Sequence, residues 1–416
     1  MRLCLLFGAL LVAAPVKAGS SKYSPERTQT ALTNLPRSAF GELLTVEPRA
    51  EVYLQFPYGF DDHLSTLTFT GNGSTASLAG VFTLQTGAAA DSKAEVASVK
   101  HLRYIPGRGA DIRFTAIFTT GVDNSTQAIG AFDDSVVDGY GFGYNGTAFG
   151  VLRSSSSVFE WIPQTSWNID KMDGTGPSKM TLDQTKFNVY RIVYQWLGAG
   201  EISYQIENPA TGRFQVVHKI RYAGTETTPS SFNPSLQLVA LAQNHANTSN
   251  VTLRTQSMAA MSQGPDVKNT IGHSTATVQA SVGVTPYPLL TIKSTATFRG
   301  FANRVGAEPS LLAVANESTN RSAEFSLILN ADSLTNSTFN VIKDAGHAVI
   351  DIDMSATAIS GGDNIMTIFV GPAESIVIPL GQFAMDLYAG DTLTIVGKMD
   401  AGTADLKAAI RWEEKF

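Results

Sequence analysis

Trp161 and Trp167 lie in Phe159-Glu-Trp-Ile-Pro-Gln-Thr-Ser-Trp-Asn, with Gln164 between them and Asn168 directly after. Flat rings flanked by side-chain amides can stack on sugar rings and hydrogen-bond to their hydroxyls. The same residues serve equally as two rings capping one end of a β-sandwich core. Asp133, Asp134 and Asp138 cluster before Gly139. Hard cations such as calcium take carboxylates grouped on a turn, but the EF-hand spacing is absent and a solvated acidic turn needs no ion. Glu160, Asp170, Asp173, Glu201 and Glu207 could supply the facing pair, about 5–10 Å apart, that glycoside hydrolysis requires. Nothing in the sequence brings any two together. Asp351 and Asp353 flank Ile352 and read as a solvent-facing strand edge.

Other chemistry is excluded more firmly. The six histidines are scattered without an HExxH pair, there is no GxSxG, and the single cysteine, Cys4, forms neither a disulfide nor a CxxC. Gly141-Phe-Gly-Tyr-Asn-Gly matches GxGxxG, but aromatic alternation and a following Thr-Ala-Phe-Gly make it a glycine-rich hairpin, not a dinucleotide site. The chain is expected to be non-enzymatic and without cofactor. Its net charge is −6, with 30 basic and 36 acidic residues and no basic run, which argues against a nucleic-acid partner.

The elements that must position these residues are strands. Of 416 residues only 16% are charged, while Ser and Thr number 77 and Gly 36. Short alternating segments split by Gly, Asn and Pro indicate sandwiches or barrels. Arg113-Phe-Thr-Ala-Ile-Phe-Thr puts Phe114, Ala116 and Phe118 on one face. Gly139-Tyr-Gly-Phe-Gly-Tyr puts Tyr140, Phe142 and Tyr144 on one face and glycines on the other. Residues 186–222 form an antiparallel meander with turns at Leu197-Gly-Ala-Gly and Asn208-Pro-Ala-Thr-Gly, apolar on both faces, so that its sheet is expected to be central. Strand candidates recur from Tyr287 to the C-terminus, and no amphipathic helix exceeds two turns.

The expected organisation is all-β. A signal peptide occupies 1–18, with Arg2, an apolar run and Val16-Lys17-Ala18 before the cut. An arm at 19–44 precedes a β-sandwich at 45–262. A linker at 263–280 leads to a small C-terminal β-sandwich at 281–416, in a jelly-roll pair. The mature chain is expected to carry no membrane span. Eight sequons, at Asn72, Asn124, Asn145, Asn247, Asn250, Asn316, Asn320 and Asn336, agree with a secretory route as N-glycosylation candidates.

Several segments in collinear order resemble virion structural proteins shared by large (giant) DNA viruses and tailed bacteriophages. They include Phe40-Gly-Glu-Leu-Leu-Thr-Val-Glu-Pro, Leu54-Gln-Phe-Pro-Tyr-Gly, Leu102-Arg-Tyr-Ile-Pro-Gly-Arg-Gly-Ala, Trp161-Ile-Pro-Gln-Thr-Ser-Trp-Asn, Tyr194-Gln-Trp-Leu-Gly and Ile206-Glu-Asn-Pro-Ala-Thr-Gly-Arg-Phe. Tyr388-Ala-Gly-Asp-Thr-Leu-Thr-Ile and Ile410-Arg-Trp-Glu-Glu-Lys-Phe extend the resemblance to the end. It implies a concanavalin- or laminin-G-like first domain and a particle component, with other virion proteins or copies of itself as partners. It supplies no catalytic residues. The leader and sequons depart from a phage protein and point to a eukaryote-infecting giant virus, or to a viral gene in a eukaryotic genome. The alternative expectation is a lectin-like, glycan-binding attachment module. Location is then the virion, or the extracellular space after leader cleavage.

Overall fold

The computed structural model describes residues 38–39, 41, 48–133, 136–264, 270–342, 346–383 and 385–416. The leader at 1–18 and most of the arm at 19–44 lie outside the described residues. The chain is all-β, and among the described residues the helical elements are short 3₁₀ turns such as Gln164–Ser166 and Gly381–Phe383. Among the described residues no helix is long and apolar enough to cross a membrane.

Two antiparallel sheets, of nine and seven strands, pack face to face in the first domain. Alternation builds this sandwich: Ile112, Phe114, Ala116 and Phe118 of strand Gly109–Phe118 point inward, as do Tyr140, Phe142 and Tyr144 of Gly139–Asn145. Their rings meet at the centre, with Phe114 stacked on Tyr190 at 5.6 Å and Phe142 tilted against Tyr190 at 4.9 Å. Gly139–Asn145 and Ala148–Ser155 form the expected glycine-rich hairpin, and no helix follows it.

The meander is present as Asn188–Gln195, Ile202–Asn208 and Arg213–Ile220, but Arg213–Ile220 ends the nine-stranded sheet. Its second apolar face is covered locally. Phe214 lies beneath the guanidinium groups of Arg113 and Arg191, at 5.9 and 5.4 Å. Both guanidiniums bond the fully buried carboxylate of Asp111, Arg191 at 2.8 and 2.7 Å and Arg113 at 3.2 and 2.8 Å. Removing the charge of Asp111 leaves two arginines facing each other over a buried amide. Asp111→Asn is expected to destabilise this domain by about 3 kcal/mol, read as a lowered urea midpoint with unchanged slope.

The second domain is also a two-sheet sandwich. A four-stranded sheet runs in the order Ile271–Val282, Ala404–Lys415, Gly306–Asn316, Ser375–Pro379. A six-stranded sheet, with Tyr287–Ser294 and Thr392–Met399 at its centre, covers it. Leu289, Ile292, Phe325, Ile395, Ile410 and Trp412 fill the space between. The expected linker at 263–280 is corrected here, because strand Ile271–Val282 occupies most of it. Asp353 is also corrected: it is buried, and its carboxylate accepts the backbone N–H groups of Thr338, Ser355 and Ala356. Between the domains, Arg304 reaches Asp133 at 3.3 Å and His63 lies 3.6 Å from Asp363.

Candidate functional site

The tryptophan pair does not form a platform. The turn Gln164–Ser166 swings Trp167 inward to 2% exposure, where its ring meets Phe142 and Phe149 edge-on and its Nε1 donates to the Ile162 carbonyl. Trp161 pairs with Leu152 on the opposite face of the same sheet and packs half-buried against a small apolar cluster. The amides are spent on the backbone. Gln164 donates to the carbonyls of Lys171 and Met172, and Asn168 exchanges bonds with the backbone of Lys219. These four residues organise the edge of the first sandwich.

The Asn168 N–H also donates to Nδ1 of His218 at 3.2 Å, which requires a neutral ring. Burial lowers the His218 pKa below its ordinary 6.5, outweighing the nearby Glu160 charge. The unfolded imidazole therefore takes up its proton before the folded one. The stability that the neutral ring contributes is complete above about pH 6.5 and is lost as pH falls through the depressed folded value. Denaturation midpoints measured from pH 7 to pH 5 should fall, with a shallower fall in His218→Gln.

No two of the five candidate carboxylates work together. Glu160 binds Arg153 at 2.7 Å, Glu201 binds Lys219 and Arg221, and Asp170 accepts the N–H groups of Met172 and Ser178. Asp173 closes a turn onto Thr175, which holds its carboxyl below the usual range. Glu207 lies in the strand Ile202–Asn208 opposite Phe214.

Asp133 and Asp138 do come together, in a different role from calcium binding. Oδ1 of Asp133 accepts the Asp138 N–H at 2.5 Å, and its Oδ2 faces the Arg304 guanidinium. Oδ1 of Asp138 accepts the N–H groups of Ser156 at 3.0 Å and Phe232 at 2.8 Å. A guanidinium already supplies the positive charge, and both carboxylates are almost wholly buried. Asp134 lies outside the described residues. The acidic turn is a rivet that fixes the loop carrying Phe232.

That loop is held tightly from several sides. Trp196 Nε1 donates to the Ser231 carbonyl at 3.0 Å, Arg153 to the Ser230 carbonyl at 3.0 Å, and the Ser231 hydroxyl to the Asn233 carbonyl at 2.7 Å. Phe232 nevertheless projects outward, 58% exposed. Opposite it stands Phe301, 60% exposed, on a tight hairpin of the second domain that pairs Phe298 with Phe301. Arg299 and Gly300, at φ 51° and 83°, make the turn, as a two-residue hairpin requires. The two rings are 5.8 Å apart and tilted by 42°. They wall a cleft of about 490 Å³ between the domains, which also presents Ser156, Ser157 and Asn233 and is lined as well by Asp138 and the mutually paired Asp133 and Arg304. The side-chain oxygens of Ser156 and Ser157 and the amide nitrogen of Asn233 have no protein partner among the described residues.

Of the sequons, Asn316 is corrected. It is buried, and its amide donates to the carbonyls of Arg321, Val370 and Gly371, so the folded domain leaves no room for a glycan there. Asn72, Asn124, Asn145, Asn250, Asn320 and Asn336 are exposed, and Asn247 is half-buried.

No known family model matches the chain, and no curated protein matches it. Among solved structures it is similar to the carbohydrate recognition domain of Emp47p, at 12% identity over 52% of this chain and 98% of that one, with a TM-score of 0.34. It is similar to the exoplasmic/lumenal domain of VIP36 in a Ca²⁺/Man3GlcNAc-bound form, at 11% identity over 53% and 92%, with a TM-score of 0.34. A protein of unknown function from Shewanella oneidensis MR-1, SO2946, is similar at 8% identity over 59% and 98%, with a TM-score of 0.36.

Proposed function

We propose that this chain is a non-enzymatic, lectin-like protein of the secretory route that holds a neutral saccharide in the cleft between its domains. One observation carries the reading: two exposed phenylalanine rings, on loops braced from beneath, face a space lined by unpartnered hydroxyls and an amide. Ligand sites combine apolar walls with a few fixed polar groups. A sugar ring presents C–H faces to aromatics and hydroxyls to just such groups. Four of the five acids that could have cut a glycosidic bond are committed to backbone N–H groups, a threonine hydroxyl or cationic side chains, which supports binding without hydrolysis. The test is an array of neutral and sialylated oligosaccharides probed with the folded chain. Binding to a neutral subset is the expected result, and a blank array would defeat the reading.

A second reading, a structural component of a virus particle, is favoured by exposed apolar residues on two edge strands of the second domain. Ile365 and Phe369 lie on strand Asp363–Val370 and Val377 on Ser375–Pro379. Mass spectrometry of purified particles tests it, and absence of the chain from them would exclude it.

A further inference from the structure

Strand Ile271–Val282 ends the four-stranded sheet, hydrogen-bonded on one side to Ala404–Lys415 and open on the other. Its pairing is regular from Ile271 to Gln279. A shift between Gln279 and Val282, with Ser281 at φ 57°, closes the regular stretch. Among the described residues nothing bonds to the outward backbone groups of these nine positions. Several other sheet edges carry the devices that block pairing, while Ser65–Thr70 and Ser74–Leu78 lack charge and proline but are only six and five residues long. Val158–Pro163 has Glu160 and Pro163, Arg213–Ile220 has Arg213 and Lys219, and Ser375–Pro379 is five residues ending in Pro379. Asp363–Val370 opens on a charge and pairs across a bulge at Leu327/Ile328. The 271–279 stretch has no Pro, Lys, Arg, Asp or Glu.

We infer that this edge pairs with the same edge of a second copy, antiparallel about a twofold axis at Thr275. Twofold pairing requires that a residue and its opposite number point to the same face. Centring on Thr275 meets this over the whole regular stretch: Thr275 faces Thr275, Ser274 faces Ala276, His273 faces Thr277 and Ile271 faces Gln279. Threonine pairs are favourable across strands, and no like charges oppose. The outer faces then join as one eight-stranded surface. On each copy that surface is an apolar trough of about 410 Å³, floored by Ala276, Ala313 and Ala409 and rimmed by Val278 and Val377. Pairing with Ser375–Pro379 of a neighbour, which would build open chains, is disfavoured by Pro379 and its short length. Nine residues at ~3.3 Å each, on a sheet ~10 Å thick, bury ~300 Å² per copy. Stable dimers bury about 1,200 Å² or more in total, so this pairing is reversible.

Sedimentation velocity of the full chain should show a monomer at low micromolar concentration moving to a dimer, and no further, toward millimolar. Ala276→Lys, at an exposed position, places ammonium groups diagonally across the axis and should leave a monomer with an unchanged melting temperature. In a Cys4→Ser background, Thr275→Cys should form a disulfide-linked dimer on mild oxidation. A wild type that stays monomeric, a dimer that survives Ala276→Lys, growth beyond dimers, or an uncrosslinked Thr275→Cys would each overturn the inference.

Discussion

Phe301→Ala is expected to weaken binding of whichever neutral oligosaccharide the array selects by about 10- to 100-fold, with little change in melting temperature. The ring is mostly solvent-exposed, so its removal costs the fold little, while a stacked aromatic contact is worth about 1.5–3 kcal/mol at a binding surface. Phe232→Ala should act similarly, and the double variant should lose less than the product of the two, because the rings grip one ligand together. Phe369→Ala, an exposed ring outside the cleft, is the control and should bind as wild type. Titration calorimetry separates the outcomes. If wild type and all four variants bind equally, the chain is a lectin whose site lies elsewhere. If none binds, the function is not glycan recognition.

The sequence made some elements legible and hid others for identifiable reasons. The glycine hairpin and the meander stood out because strict alternation met strong turn chemistry, as at Asn208-Pro-Ala-Thr-Gly. Gly306–Asn316, an inner strand, does not stand out in the sequence because Pro309 and the run Leu311-Leu-Ala-Val-Ala break the alternating pattern. Ile271–Val282 reads as linker because an edge strand with one face in water is built of Thr, Ser and Gln. The tryptophans misled because Pro163, Gln164 and Ser166 suggest an exposed loop, whereas a single 3₁₀ turn folds Trp167 into the core. Phe232 and Phe301 belong to different domains, and only folding brings them together. The one signal each carried was an aromatic ring in a turn-forming setting, Ser231-Phe-Asn-Pro and Arg299-Gly-Phe.

The hairpin glycines support the second large prediction, loss of the folded first domain in Gly143→Ala. A Cβ built on Gly143 would lie 1.8 Å from the Gln127 carbonyl oxygen and 3.0 Å from the Ala128 Cα. Both are backbone atoms of the hydrogen-bonded neighbour Ser125–Phe132, so no side-chain rotation relieves the clash. Gly130 meets the Tyr140 carbonyl oxygen at 2.1 Å and Gly150 that of Ile162 at 2.3 Å, so adjacent strands share the requirement. The glycine face is thus needed by the neighbouring strands of its own sheet, while the opposite face supplies Tyr140, Phe142 and Tyr144 to the core. Relief would demand opening the Ser125–Phe132 pairing, which carries Ile129 and Ala131 into that core. A cost above about 4 kcal/mol follows, exceptional for a single methyl group. Gly212→Ala is the matched control. It sits in an exposed turn with nothing within 4 Å of its Cβ, and only φ 64° opposes the change, at about 1 kcal/mol. Circular dichroism melts of the two variants should differ sharply, Gly143→Ala lacking the first domain's cooperative transition and Gly212→Ala retaining it a few degrees lower. Comparable melts would mean that the strands separate at Gly143 far more cheaply than their register implies.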